Sequence, residues 1–243
     1  PIGFFLHVPF PPPEIFGKAP DGRALVRDLL AADLIGFQTP ADAENFAATA
    51  QRLAGALRLA DGSLSHGGRL IRLGAFPVEI EPRGFAALAG AAAAEAPAER
   101  LRATLGTERL ILGADRLDPT KGLVQRLAGY RRVLETRPAL RRQVTMLQIA
   151  AASRQDVATY RDLRAALERQ AGAINAAFAD PDWTPLRLVG RAVARETMAG
   201  YMRLARVGLV TPLRDGMNLV AKEFVAAQDP QDPGVLVLSR FAG

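Results

Sequence analysis

No cysteine occurs anywhere in the 243-residue chain. That excludes a disulfide framework, a thiolate metal site and a cysteine nucleophile, and it points to a reducing compartment, the cytoplasm. Histidine is nearly missing as well: His7 and His66 are the two present, too few for a zinc site built from several imidazoles. No uninterrupted apolar run reaches the eighteen or so residues that a membrane span requires. Lysine is the third scarcity. Of 31 basic residues only Lys18, Lys121 and Lys222 are lysines, so arginine supplies nearly every generic positive charge. A retained lysine then suggests a place where a compact point charge serves better than a flat fork.

What is present describes a globular chain, 49% hydrophobic and 23% charged, outside the disordered and coiled-coil compositions. The net charge of +6 raises a nucleic-acid reading, but the arginines alternate with acids, as in Arg161-Asp162 and Glu99-Arg100, instead of clustering with aromatics. Neither nucleic acid nor a membrane is expected as a partner, and a homo-oligomer is left open. The chain opens on Pro1 and enters an apolar run at once, which reads as a cut chain whose upstream signals are out of sight.

Strand-length apolar runs recur at Ile2–Leu6, Leu34–Phe37, Leu70–Phe76, Leu110–Ala114, Val144–Ile149, Leu186–Val189, Val207–Val210 and Val235–Leu238. Continuous apolar character is what strands buried on both faces need. Stretches between them carry helix spacing, as in Tyr160, Leu163, Leu167, Ala171 and Ile174. The pattern predicts an α/β fold with mainly parallel sheets and helices on both faces. An alanine-rich segment divides it, giving domains at residues 1–83 and 108–243 joined by a helical connection over 84–107.

Ligands in open parallel sheets sit beyond the carboxyl ends of the strands, so the loops there carry most weight. After Leu110–Ala114, Arg116 and Lys121 flank a proline turn at a helix start, a favourable place for an anion; alternatively, Arg116 pairs with Asp115 or Asp118. After Val207–Val210 comes Pro212-Leu213-Arg214-Asp215-Gly216-Met217-Asn218-Leu219-Val220-Ala221-Lys222-Glu223. Gly216 permits close backbone approach, the helix from about Asn218 suits a diphosphate, and Asp215 and Glu223 could each hold hydroxyls. The same letters also spell an ordinary turn and N-cap. Ser153 with Asp156 resembles a capping box, which would set Arg154 at a first helical position, where it either meets an anion or pairs with Asp156. His7 ends the first run before a proline-rich turn and reads equally as a structural residue.

Neither G-x-G-x-x-G nor a Walker A loop, a G-x-S-x-G elbow or H-E-x-x-H occurs. The stretches Gly3–Pro11, Leu34–Thr39, Arg116-Leu117-Asp118 with Lys121-Gly122, and above all Gly208–Gln228 resemble the trehalose-6-phosphate synthases. These are retaining, metal-independent glycosyltransferases of family 20 with two Rossmann-like domains of the GT-B type. The resemblance extends over nearly the whole chain. It implies transfer of glucose from UDP-glucose to glucose 6-phosphate with no cofactor and no metal, in a chain holding the end of the N-terminal domain and most of the C-terminal one.

Carried over by position, the resemblance sets Arg116 and Lys121 on the donor diphosphate, Glu223 on the ribose, and Asp215 and His7 on the donor glucose. The backbone of Gly216, Met217, Asn218, Leu219, Val220, Ala221 and Lys222 meets diphosphate and sugar. Val193, commonly a larger aromatic in relatives, meets the uracil through its main chain, and Arg154 meets the acceptor phosphate. The resemblance implies no protein nucleophile. It also sets the glycine-rich donor loop and the rest of the acceptor site upstream of this chain, so that the chain alone is expected to be inactive. The alternatives are a transferase with another acceptor, such as glycerol 3-phosphate in glucosylglycerol-phosphate synthesis, one with another donor base, or a noncatalytic sugar-nucleotide-binding module.

Overall fold

The structure, a computed structural model, describes residues 1–152 and 158–242. The chain divides into two compact units, one of Pro1–Glu79 with Asp215–Met217, the other of Ile80–Arg214 with Asn218–Ala242.

The first unit contains β1 (Gly3–Leu6), α1 (Pro13–Phe16), α2 (Gly22–Leu29), β2 (Leu34–Phe37), α3 (Pro40–Ala54), β3 (Leu57–Arg58), β4 (Leu64–His66) and β5 (Arg69–Ala75). Its sheet runs in the order β1-β2-β5-β4-β3. β1, β2 and β5 are parallel, while β4 turns back antiparallel on β5. Phe10, Phe37 and Phe46 meet edge-on or tilted at the centre of the core, with ring centroids 5.2–6.2 Å apart, geometries favoured by the ring quadrupole. Thr39 caps α3 by accepting from the Asp42 N–H, Pro40 begins it, and Gly55 closes it at φ 69°, the left-handed end that glycine adopts freely.

The second unit contains α4 (Pro82–Ala92), α5 (Ala96–Leu105), β6 (Arg109–Arg116), a 3-10 turn (Pro119–Lys121), α6 (Leu123–Thr136), β7 (Val144–Ala151), α7 (Ala158–Phe178), β8 (Leu186–Val189), α8 (Arg195–Leu204), β9 (Val207–Val210), α9 (Leu219–Ala227) and β10 (Val235–Leu238). All its strand pairs are parallel, in the order β10-β9-β6-β7-β8. Successive side chains of a strand alternate between two cores. Leu110, Leu112, Leu147 and Ile149 pack with Phe85, Met202 and Phe224 on one face. Val144, Met146 and Ala150 pack with Leu127, Leu134, Leu167 and Ile174 on the other. Residues 84–107 hold most of α4 and all of α5, both packed on α8 within this unit.

The chain runs outward from β6 through β7 to β8, then returns to place β9 on the other side of β6. Strand order therefore reverses between β6 and β9, the position where loops part and ligands bind in Rossmann-like sheets.

Candidate functional site

The loop after β6 is shaped by Asp118, whose Oδ1 accepts from the Thr120 N–H at 2.9 Å and the Thr120 hydroxyl at 2.7 Å. Burial opposes the Asp118 charge, but the Thr120 hydrogen bonds and the neighbouring Arg116 and Lys121 charges outweigh it and hold the carboxyl below its ordinary value. Gly122 follows at φ 63°. A Cβ there would lie 2.8 Å from the Thr211 carbonyl oxygen, so the two loops approach too closely for any other residue.

The loop after β9 is joined to this one through backbone. The Thr120 carbonyl accepts from Leu213 N–H at 2.8 Å and Arg214 N–H at 3.3 Å. Asn218 then caps α9, its Oδ1 accepting from Ala221 N–H at 3.0 Å, while its own N–H donates to the Ala242 carbonyl. Gly216 N–H donates to its neighbour Asp215 Oδ1 at 2.9 Å. Three of the amides carried over to the ligand, those of Gly216, Asn218 and Ala221, are thus engaged within the protein itself.

Beyond the strand ends lies a cavity of about 310 Å³ that gathers Arg116, Val193, Val220 and Glu223, together with Arg195 and Met198. Its floor is largely apolar, with charge confined to a few points, as small-molecule sites require. Glu223 is partly buried here. Desolvation raises its carboxyl above the ordinary value, and the Arg195 charge offsets only part of that. Arg195 also lies over the Phe85 ring, 5.5 Å from its centroid, a cation–π contact. Lys121, at the end of the 3-10 turn, is not among the residues that line this cavity.

Of the arginines within reach of Asp115, the structure sets Arg126 on it. Asp115 Oδ2 takes Arg126 Nη1 at 2.5 Å, and both side chains are buried. Arg154 lies outside the described residues. In the first unit, His7 accepts at Nδ1 from the Gln38 side-chain amide, and a Cβ on Gly216 would overlap the His7 carbonyl. Gln38 Oε1 accepts from Val78 N–H at 2.9 Å, which turns the amide nitrogen toward His7. An NH2 group only donates, so the neutral ring carries its proton on Nε2.

Arg126, Gln38 and Arg195 were not singled out by the sequence. Arg126 left one signal: it falls on the inner face of the α6 spacing set by Leu123, Leu127, Tyr130 and Leu134, a place that normally takes an apolar side chain. Among the described residues no group of three His, Asp or Glu side chains gathers as it would to hold a metal. No helix there is long and apolar enough to cross a membrane.

The chain is 46% identical over 242 residues to the trehalose-6-phosphate synthase of Sinorhizobium fredii, covering 100% of this chain and 52% of that protein. It is similar to the crystal structure of an alpha,alpha-trehalose-phosphate synthase (UDP-forming) from Burkholderia xenovorans in complex with glucose-6-phosphate. The TM-score is 0.95 and the identity 45%, over 99% of this chain and 54% of that one. A structure from E. coli bound with UDP-2-fluoro glucose matches with TM-score 0.92 and 43% identity, over 99% and 53% of the two chains. The chain thus spans about half the length of the relatives it matches. The family model of glycosyltransferase family 20 covers residues 1–243, and on that full-length match, with the fold and loops just described, the chain belongs to glycosyltransferase family 20.

Proposed function

We propose that this chain is part of a GT-B glucosyltransferase that moves glucose from UDP-glucose to glucose 6-phosphate with retention, releasing UDP and trehalose 6-phosphate. The observation that carries this reading is the shared cavity of Arg116, Val193 and Glu223 at the strand reversal. Arginine cations, an apolar wall and the partly buried Glu223 carboxylate lie there, the features that diphosphate, nucleobase and ribose demand. The relatives bound with glucose-6-phosphate and UDP-2-fluoro glucose support the choice of substrates.

In this reading Arg116 and Lys121 stabilise the negative charge that grows on the departing diphosphate as the anomeric carbon gains oxocarbenium character. Glu223 accepts from the ribose hydroxyls, and Val193 lies against the base. Asp215 and His7 hold the donor glucose, and Arg154 holds the acceptor phosphate, turning a two-substrate encounter into a positioned one. The leaving diphosphate takes the acceptor's proton, so neither a protein nucleophile nor a metal takes part. The setting is cytoplasmic.

The test is product formation by the complete enzyme with UDP-, ADP- and GDP-glucose, each paired with glucose 6-phosphate or glycerol 3-phosphate. Turnover with UDP-glucose and glucose 6-phosphate well above every other pair is expected. A preference for glycerol 3-phosphate, or no transfer with any pair, overturns the assignment.

A further inference from the structure

A buried, heavily hydrogen-bonded charge of the second unit belongs to a residue that the mechanism above does not use. Arg126 projects from the inner face of α6 with its side chain 0% exposed. Its Nη1 donates to Asp115 Oδ2 at 2.5 Å and to Gln148 Oε1 at 3.2 Å. Its Nε donates to Thr211 Oγ1 at 3.0 Å, and its Nη2 to the Lys121 carbonyl at 3.4 Å. One planar group therefore joins the end of β6, the middle of β7, the residue just after β9 and the turn that opens α6. Gly113 makes room for it, because a Cβ there would overlap Gln148 Oε1 and stand 3.1 Å from Arg126 Nη1.

Asp115 precedes Arg116, Lys121 carries its own side chain from the bonded carbonyl, and Thr211 begins the loop that meets Thr120. We propose that Arg126 is the positioning residue for the anion-binding pair Arg116 and Lys121, setting both cations for the donor diphosphate; this rests on the donor-site reading above. Two effects follow from one set of bonds. By holding Asp115 Oδ2 in the core, Arg126 draws that carboxylate's charge away from Arg116. By bonding Thr211 and the Lys121 carbonyl together, it fixes the distance between the two loops. A lysine could supply the charge but not four bonds in the fixed directions of a planar fork. A buried ion pair by itself adds little net stability, so its use here is orientation.

The experiment uses the complete enzyme with Thr211→Val, which removes the Nε acceptor at nearly constant volume, and Arg126→Lys. UDP is followed by calorimetry, uridine by ligand-observed NMR, and thermal unfolding alongside. Thr211→Val is expected to weaken UDP about tenfold, the size of one charge-assisted hydrogen bond. Uridine affinity stays within about twofold, since the two cations that Arg126 positions meet the diphosphate and not the nucleoside. Arg126→Lys is expected to lower kcat about a hundredfold, as small misplacements of catalytic groups do. Should the lysine variant fail to fold, Thr211→Val still decides. Equal losses for UDP and uridine, or no loss for either, overturn the positioning role while leaving the donor site standing. A wild-type enzyme that binds no UDP overturns the donor reading and this proposal with it.

Discussion

Gln38 and His7 share a hydrogen bond whose direction is set from behind: Val78 N–H occupies Gln38 Oε1, so the amide nitrogen faces His7 Nδ1. The neutral imidazole thereby carries its proton on Nε2, the form that the proposed contact to the donor glucose requires. Nitrogen NMR of the labelled complete enzyme, above the pH of imidazole protonation, should find the proton on Nε2. Gln38→Leu should scramble that preference and reduce kcat about ten- to a hundredfold. It also removes the Gln38 Oε1 acceptor of the Val78 N–H. A wild-type Nδ1–H tautomer contradicts the arrangement.

Glu223 offers a pH test with a definite sign. Its carboxyl is raised above its ordinary 4.5 by burial, against the pull of Arg195, so the folded state binds its proton more tightly than the unfolded chain. The stability this gives is present in acid and is lost as pH rises through the raised value. Glu223→Gln should therefore unfold at a higher temperature than wild type at neutral pH, with the difference vanishing below the ordinary carboxylate value. UDP binding should move the other way. If Glu223 holds the ribose as proposed, wild-type binding should weaken as pH falls through the raised value, because the neutral acid is a poorer acceptor for hydroxyls, and Glu223→Gln should lose that contribution. Calorimetry and thermal unfolding across a pH series check both.

Two glycines of the second unit separate crowding from propensity. Gly113→Ala forces a methyl onto the Gln148 amide beside Arg126 and should destabilise by about 1–3 kcal/mol. Gly129 lies within α6 with open space where a methyl would stand, so Gly129→Ala should stabilise by about 0.5–1 kcal/mol. Urea unfolding of both variants compares them, and equal effects would mean that the network around Gln148 is loose.

The parallel strands were legible because a strand buried between helix layers must be apolar along its length, and β6 and β7 follow that rule closely. β3 and β4 were not, since Leu57–Arg58 and Leu64–His66 are too short and too mixed to leave a pattern. The same rule overreached at the sheet edges: Phe4 is 40% exposed on β1 and Val235 63% exposed on β10, each strand having one described neighbour. The loops after β6 and β9 drew attention through lysine scarcity and turn chemistry. The residues behind them did not, because an arginine such as Arg126 or an amide such as Gln38 reads as surface until the fold closes around it.

That Arg116 and Lys121 form a diphosphate site is tested most directly by calorimetric titration of the complete enzyme with UDP, in wild type and in Lys121→Ala and Arg116→Ala. The account predicts that wild type binds UDP and that each substitution weakens it by about 1.5–3 kcal/mol, the worth of a charge-assisted hydrogen bond, with uridine affinity unchanged. UDP affinity that survives both substitutions would contradict it.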